Sequence, residues 1–179
     1  MRVISGKARG TILATIEGTT TRPTTDRVKE SIFNLIQFRI QNARVLDLFA
    51  GSGALGIEAA SRGAESVTLV ENFRKCHEAI KYNIEKTGLE NIKLLKAEVM
   101  SCFMRLETYD VILMDPPYSK DFVVPAIEKI LEHNCLDENG IIVVEHSKVD
   151  VLPETIGSLK LEKQKKYGIA MVSIYSYDQ

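Results

Sequence analysis

Asp115-Pro116-Pro117-Tyr118 follows the apolar run Val111-Ile112-Leu113-Met114, so the four residues are predicted to stand where a buried strand ends and a loop opens. An α/β sheet exposes its chemistry at that edge. Two consecutive prolines remove two backbone donors and fix two φ angles, which stiffens a loop that has no hydrogen-bond ladder of its own. Such a loop offers a carboxylate, the Pro116 carbonyl and an aromatic ring. An NH₂ group on a planar base can give one hydrogen to Asp115 and the other to that carbonyl while Tyr118 stacks on the ring. The competing reading is a proline turn that merely terminates a strand, and the rest of the chain has to decide between them.

A second chemical signal lies in Val45-Leu46-Asp47-Leu48-Phe49-Ala50-Gly51-Ser52-Gly53-Ala54-Leu55-Gly56, a strand pattern running through a glycine turn into a helix. Glycines there let a backbone approach a ligand closely. Gly51, Gly53 and Gly56 satisfy the dinucleotide fingerprint, and Glu71 lies 20 residues beyond Gly51, where a ribose-binding acid is expected. An NAD-dependent oxidoreductase is therefore a rival reading. Asp47 weighs against it, because a pyrophosphate would meet that negative charge at close range, whereas an ammonium and a sulfonium would be attracted. No hydride-transfer acid is evident either. His77 falls in a helical pattern, His133 near a helix end, and only His146 ends a strand. A cationic, adenosine-bearing cofactor fits better.

The elements that must position these residues alternate from residue 45 onward. Strands are predicted at Val45 to Phe49, Val67 to Glu71, Ile92 to Ala97, Tyr109 to Asp115, Ile141 to His146, Lys160 to Lys166 and Met171 to Tyr177. Between them Cys76, Ala79, Ile80, Asn83 and Ile84 recur at helical spacing, as do Val123, Ile127, Ile130 and Leu131. This βαβ series predicts a mostly parallel sheet covered on both faces. Only Gly168 to Ala170 separates the last two runs, so they should pair as an antiparallel hairpin. At the N-terminus, Arg2 to Ser5 and Thr11 to Ile16 flank a turn with Gly6 and Gly10 and suggest a β-hairpin. Thr25 can cap a helix with Val28, Ile32, Leu35 and Ile36 on one face. Residues 1–40 are read as an appendage, and 41–179 as the core, of one domain spanning 1–179, because a hairpin and one helix cannot bury a core of their own.

At 179 residues, 45% hydrophobic and without Trp, the chain suits one compact domain. No stretch has the length of a membrane span and the N-terminus lacks an apolar signal segment, so a cytoplasmic protein is expected. Cys76, Cys102 and Cys135 are unpaired in spacing and read as packing residues rather than a disulfide framework or a zinc site. Residues 1–30 hold six basic and three acidic side chains, which leaves −4 for the remainder of a chain whose total is −1. A basic lobe on a mildly acidic body suggests a phosphate-facing patch. Its candidates are Arg2, Lys7, Arg9, Arg22 and Arg27, with Arg22 equally able to lie over a cofactor carboxylate. Lys160, Lys163, Lys165 and Lys166 read as a solvated strand edge.

Asp47-Leu48-Phe49-Ala50-Gly51-Ser52-Gly53, Glu71 and Asp115-Pro116-Pro117-Tyr118 resemble motifs I, II and IV of the S-adenosylmethionine-dependent amino-methyltransferases. Within them, Arg2-Val3-Ile4-Ser5-Gly6, Thr21-Arg22-Pro23-Thr24-Thr25-Asp26-Arg27-Val28-Lys29-Glu30, Gly140 to His146 and the tail from Tyr167-Gly168 resemble the RsmD family, bacterial 16S ribosomal RNA guanine-N2 methyltransferases. The resemblance implies a Rossmann-like class I fold: a seven-stranded, mostly parallel sheet with an antiparallel last strand, plus the N-terminal β-hairpin. It implies S-adenosyl-L-methionine held by Asp47, Phe49, Ala50, Gly51, Ser52, Gly53, Glu71, Asn72, Glu98 and Val99. Asp115, Pro116, Pro117 and Tyr118 would be catalytic. At Glu98 the family commonly has Asp, so an adenine contact there is a departure. The implied substrate is a guanine N2 in 16S rRNA on an assembled or assembling small subunit, acted on by a monomer that needs no metal. A DNA or other RNA amino-methyltransferase shares Asp-Pro-Pro-Tyr, a glutamine methyltransferase more typically has Asn at position 115, and a non-catalytic RNA-binding protein is the alternative of a different class.

Overall fold

A computed structural model describes residues 1–16, 25–118 and 121–178. Its helices are α1 (Asp26–Leu35), α2 (Gln37–Ile40), α3 (Ala54–Ser61), α4 (Arg74–Thr87) and α5 (Val123–Glu132). Its strands are β1 (Arg44–Asp47), β2 (Ser66–Glu71), β3 (Ile92–Lys96), β4 (Tyr109–Met114), β5 (Leu136–Ser147), β6 (Thr155–Ile156), β7 (Leu159–Tyr167) and β8 (Ala170–Tyr177). They form one sheet in the order β3-β2-β1-β4-β5-β8-β7-β6. The first five pair in parallel, and β8 runs antiparallel to both β5 and β7. All seven predicted strands are present. The eighth is the two-residue edge pairing of Thr155 and Ile156 with β7, too short to leave a periodic signal.

Strand order reverses at β1 and β4, so the loops after these two neighbours open together at the carboxyl edge of the sheet, where ligands of open α/β sheets bind. The two faces carry separate cores. Val45, Val111, Val143, Val172 and Ile174 lie with α1 and α3 on one side, and Leu46, Ile112, Val144 and Tyr175 lie with α5 on the other. Alternation along buried strands assigns every neighbouring residue to a face. Thr25 caps α1 as expected, its hydroxyl accepting from the Val28 amide at 3.3 Å. Cys76, Cys102 and Cys135 are buried and unbridged. No helix among the described residues is long and apolar enough to cross a membrane.

The N-terminal segment differs from a hairpin ladder: its strand pairing is the single bridge between Arg2 and Ile12. Val3, Gly10 and Leu13 donate across its two arms to Thr11, Val3 and Met1, and the amides nearer the turn go to the body of the protein. Ile4 and Ser5 donate to Glu58 at 2.9 and 3.1 Å, and Lys7 and Ala8 donate to the Ser61 carbonyl and hydroxyl. Gly6 packs so closely that an added Cβ would stand 1.8 Å from the Ser61 carbonyl oxygen. Val3, Ala8 and Leu13 join the same core cluster as α1 and β1. Beneath them Lys29, whose side chain is fully buried, meets the equally buried Glu58 at 3.1 Å and donates to the Arg2 carbonyl. Burial lowers the Lys29 pKa, and Glu58 opposes that shift.

Candidate active site

β4 delivers Asp115 to the carboxyl edge beside the end of β5, because Met114 pairs with Val144. Pro116 is buried, while Asp115, Pro117 and Tyr118 are half-buried, so the loop is anchored by its first proline and presents its polar groups. The Tyr118 hydroxyl donates to Glu145 Oε1 at 3.3 Å. Glu145 is only 5% exposed. It was not singled out in the sequence, although it is the first charged residue after the apolar run Ile141 to Val144. A carboxylate ending such a run is the signal that would have found it.

At the end of β1 the turn is closed by Ala50 donating to Val70 and Gly53 donating to Ala50. Gly51 and Gly53 have φ of 57° and 83°, the left-handed region that glycine occupies without strain. An added Cβ on Gly51 would meet nothing within 4 Å, so this backbone borders open space. Asn83, predicted only as part of a helix face, is fully buried. It donates to the Ser52 carbonyl at 2.9 Å and binds the Ala14 backbone in both directions. It thus ties the glycine turn to the N-terminal segment.

Asp47 and Glu71 are arranged differently from simple ligand-facing acids. Asp47 is 1% exposed, and its Oδ2 accepts from Gly56 in the first turn of α3 at 3.0 Å. It thereby satisfies one of the helix's orphan amides. Its Oδ1 has no hydrogen-bond donor among the described residues. Burial pushes this carboxyl up to about 7, the Gly56 amide lowers it and nearby Glu71 raises it further. The Phe49 amide also lowers it, from a position short of hydrogen-bond geometry. Glu71 accepts from Gly51 through Oε2 and from Asn72 and Phe73 through Oε1, each at 2.9 Å. A carboxylate has about four lone-pair sites, so three amides leave room for one further hydroxyl.

The remaining predicted cofactor residues fall around this edge in unequal roles. Phe49 is half-buried, its ring centroid 5.7 Å from that of Phe122; Ala50 is buried, Ser52 half-buried and Asn72 exposed. Ala97 donates to the Glu71 carbonyl, which brings the exposed Glu98 to the same edge, whereas the Val99 side chain is buried in the second core. An orphaned carboxylate oxygen, open space over Gly51 and an acid with acceptor capacity fit a donor that carries a cationic amine and a ribose. His146, the strand-ending histidine, is buried and held by Ser173 at 2.8 Å, and burial lowers its pKa.

Four of the five basic candidates, Arg2, Lys7, Arg9 and Arg27, are exposed among the described residues. Asp26 accepts from the Arg2 amide at 3.1 Å and faces the Arg2 guanidinium at 3.9 Å, and Arg27 follows it in α1. Lys7 and Arg9 are exposed where the segment meets Ser61. That is the end of α3 farther from the glycine turn, about 12 Å along an eight-residue helix. The hairpin tip is therefore docked against α3. Arg22 lies outside the described residues. A cleft of about 290 Å³ bounded by Arg39, Gly140, Lys160 and Tyr177 opens near the start of the Ile141 run, away from Asp115. No group of three or more metal-ligating side chains occurs among the described residues.

The reversal at β1 and β4, the glycine turn and the Asp115 loop together define a class I methyltransferase. Residues 1–176 match the family model described as conserved hypothetical protein 95. YlbH of Bacillus subtilis strain 168 is 43% identical over 98% of both chains. Ribosomal RNA small subunit methyltransferase D of Escherichia coli K12 is 32% identical over 98% of this chain and 89% of its own. The solved structure of the Escherichia coli methyltransferase yhhF superposes with a TM-score of 0.89 at 31% identity, covering 99% of this chain and 98% of that one. The chain belongs to the RsmD methyltransferase family.

Proposed function

We propose that the protein transfers a methyl group from S-adenosyl-L-methionine to the exocyclic N2 of a guanine in 16S rRNA, within an assembled or assembling small subunit. The observation that carries this reading is the stiff Asp115 to Tyr118 loop at the carboxyl edge next to the glycine turn, its Tyr118 hydroxyl tied to buried Glu145. The substrate class follows the ribosomal RNA named for the Escherichia coli relative.

S-adenosylmethionine, when bound, supplies a methyl already activated by its sulfonium. Asp47 and the turn of Phe49, Ala50, Gly51, Ser52 and Gly53 would hold its amino-acid part, and Glu71, Asn72, Glu98 and Val99 its nucleoside. What the protein must add is the geometry of a poor nucleophile, because the guanine N2 lone pair is delocalised into the ring. Asp115 and the Pro116 carbonyl accept the two amino hydrogens, which frees the nitrogen to become tetrahedral. Orientation of this kind is worth up to about 7–11 kcal/mol. As positive charge grows on nitrogen, the Asp115 carboxylate stabilises it more than it stabilised the ground state. Tyr118 stacks on the extruded base and offsets part of the unstacking cost, by about 1–3 kcal/mol.

The test offers methyl-labelled donor to naked 16S rRNA and to small subunits lacking the modification, followed by mass spectrometry of the labelled nucleoside. N2-methylguanosine formed on the subunit supports the reading. Label found only on DNA or protein, with none on either RNA substrate, overturns it.

A further inference from the structure

We propose that Lys163 and Lys165 of β7 form a phosphate-binding strip that carries the RNA strand flanking the target base across the outer part of the sheet. The proposal rests on the RNA reading above and adds a surface to it. Glu145 pairs with Val172, and Val172 pairs with Lys165. Directly paired residues share a face, so Lys165 stands in the same row and on the same face as the carboxylate that holds Tyr118, two strand spacings or about 10 Å away. Lys163 pairs with Ile174, which lies in the same core as Val143 and Val172, and so projects from that face too. α1, with Arg27 near its start, packs on this side.

The other two lysines of the strand are placed differently. Lys166 pairs with Met171 in the row of His146, on the opposite face. Lys160 lies at the far end of β7 and is neutralised by Asp178. Lys163, Lys165 and Lys166 are exposed and form no ion pair among the described residues. An edge guarded only against aggregation needs charge on either face equally. A strip that continues the site needs it on one.

Equilibrium binding of 16S rRNA is measured across a salt series for the wild type, for Lys163→Ala/Lys165→Ala, and for Lys166→Ala. Two lost phosphate contacts should flatten the slope of log affinity against log salt by about 1.4 to 2. KM for the RNA substrate should rise several-fold with kcat and donor affinity unchanged, while Lys166→Ala behaves as wild type. Equal slopes for the double variant and wild type, or an equal change on either face, would overturn the strip and leave an edge of solvated charge. If the wild type methylates no rRNA, the underlying reading fails instead, which the same assay shows independently.

Discussion

The carboxyl edge and the N-terminal segment are built on opposite plans. At the edge, the two loops nearest the chemistry are consecutive runs: Asp115 to Tyr118 after β4, and Asp47 to Gly53 from the last residue of β1 onward. Local backbone chemistry, two prolines and two left-handed glycines, gives each loop its shape. The N-terminal segment has a short ladder of its own, one bridge and three backbone hydrogen bonds between its arms, and much of its turn is held from outside. Its course is set by Glu58 and Ser61 of α3, Lys29 of α1 and Asn83 of α4. Reactive groups can be encoded locally, whereas a hairpin with so short a ladder takes much of its order from buried polar partners distant in sequence.

The sharpest way to break this contrast is to remove chemistry without removing structure. Asp115→Ala should lower methyl transfer by about 10³-fold or more, the scale on which a single pre-placed polar group acts in a transition state, and leave donor affinity within a few-fold. Single-turnover transfer and donor titration measure the two effects separately. Equal losses in both would mean that Asp115 organises the donor site and that the edge is not divided as described.

The next effect belongs to the other region. Lys29→Ala leaves Glu58 its ion pair with Arg62 at 2.7 Å and the amides of Ile4 and Ser5, and should cost less than Glu58→Ala, which strands the fully buried Lys29 at a cost of about 3–5 kcal/mol. At about 2–4 °C per kcal/mol for a chain of this size, melting of the Glu58→Ala variant should fall by roughly 10 °C. Urea denaturation of Lys29→Met/Glu58→Gln should show a smaller loss than the sum of the two alanine variants, because neither fully buried position then carries a charge and the glutamine at position 58 retains an acceptor for Arg62. Additive losses would show that the pair contributes packing and no electrostatic coupling.

That contrast also explains what was legible in the sequence. The strands, the Thr25 cap, the antiparallel final hairpin and the two edge loops all have contiguous signatures: apolar runs, capping residues, glycine and proline. Lys29 reads as surface charge, because its burial depends on Glu58, 29 positions later. Asn83 reads as one position of a helix face, because its partners Ala14 and Ser52 come from other elements. The amides of Ile4, Ser5, Lys7 and Ala8 look like strand or turn donors until Glu58 and Ser61 take them. Glu145 reads as the charged end of an apolar run, but its hydrogen bond to Tyr118 spans 27 positions and leaves no local signature.

Asp47 sharpens the comparison from within the edge, where function and stability oppose each other. Its carboxyl has a reference value of 3.8 and is raised to about 7 in the fold, so between about pH 4 and 7 the unfolded chain gives up this proton before the folded chain does. Raising pH through that window removes stability, and above 7 the loss is complete. Asp47→Asn retains an acceptor for the Gly56 amide and has no such titration. The melting temperature of the variant should therefore gain on wild type as pH rises from 4 to 7 and then run parallel to it. Its donor affinity should fall, because the counter-charge to an ammonium is gone. A constant melting difference across that range would mean that Asp47 is ionised in the fold at all these pH values.

The smallest expected effect tests whether Tyr118 acts through its ring or its hydroxyl. The ring supplies stacking, and the hydroxyl supplies one hydrogen bond to Glu145 at 3.3 Å, a contact near the long end of useful geometry. A net hydrogen bond of this kind is worth about 0.5–1.5 kcal/mol, so Tyr118→Phe should lower kcat/KM only about 2- to 10-fold, and Tyr118→Ala should lower it further. Glu145→Gln retains an acceptor for the hydroxyl and should cost less than Glu145→Leu. In a double-mutant cycle, Tyr118→Phe with Glu145→Leu should cost less than the two single effects combined, since both remove the same contact. An inactive Phe variant would move the hydroxyl from positioning the ring into the chemistry itself. Strict additivity would mean that Glu145 serves the edge by some route other than Tyr118.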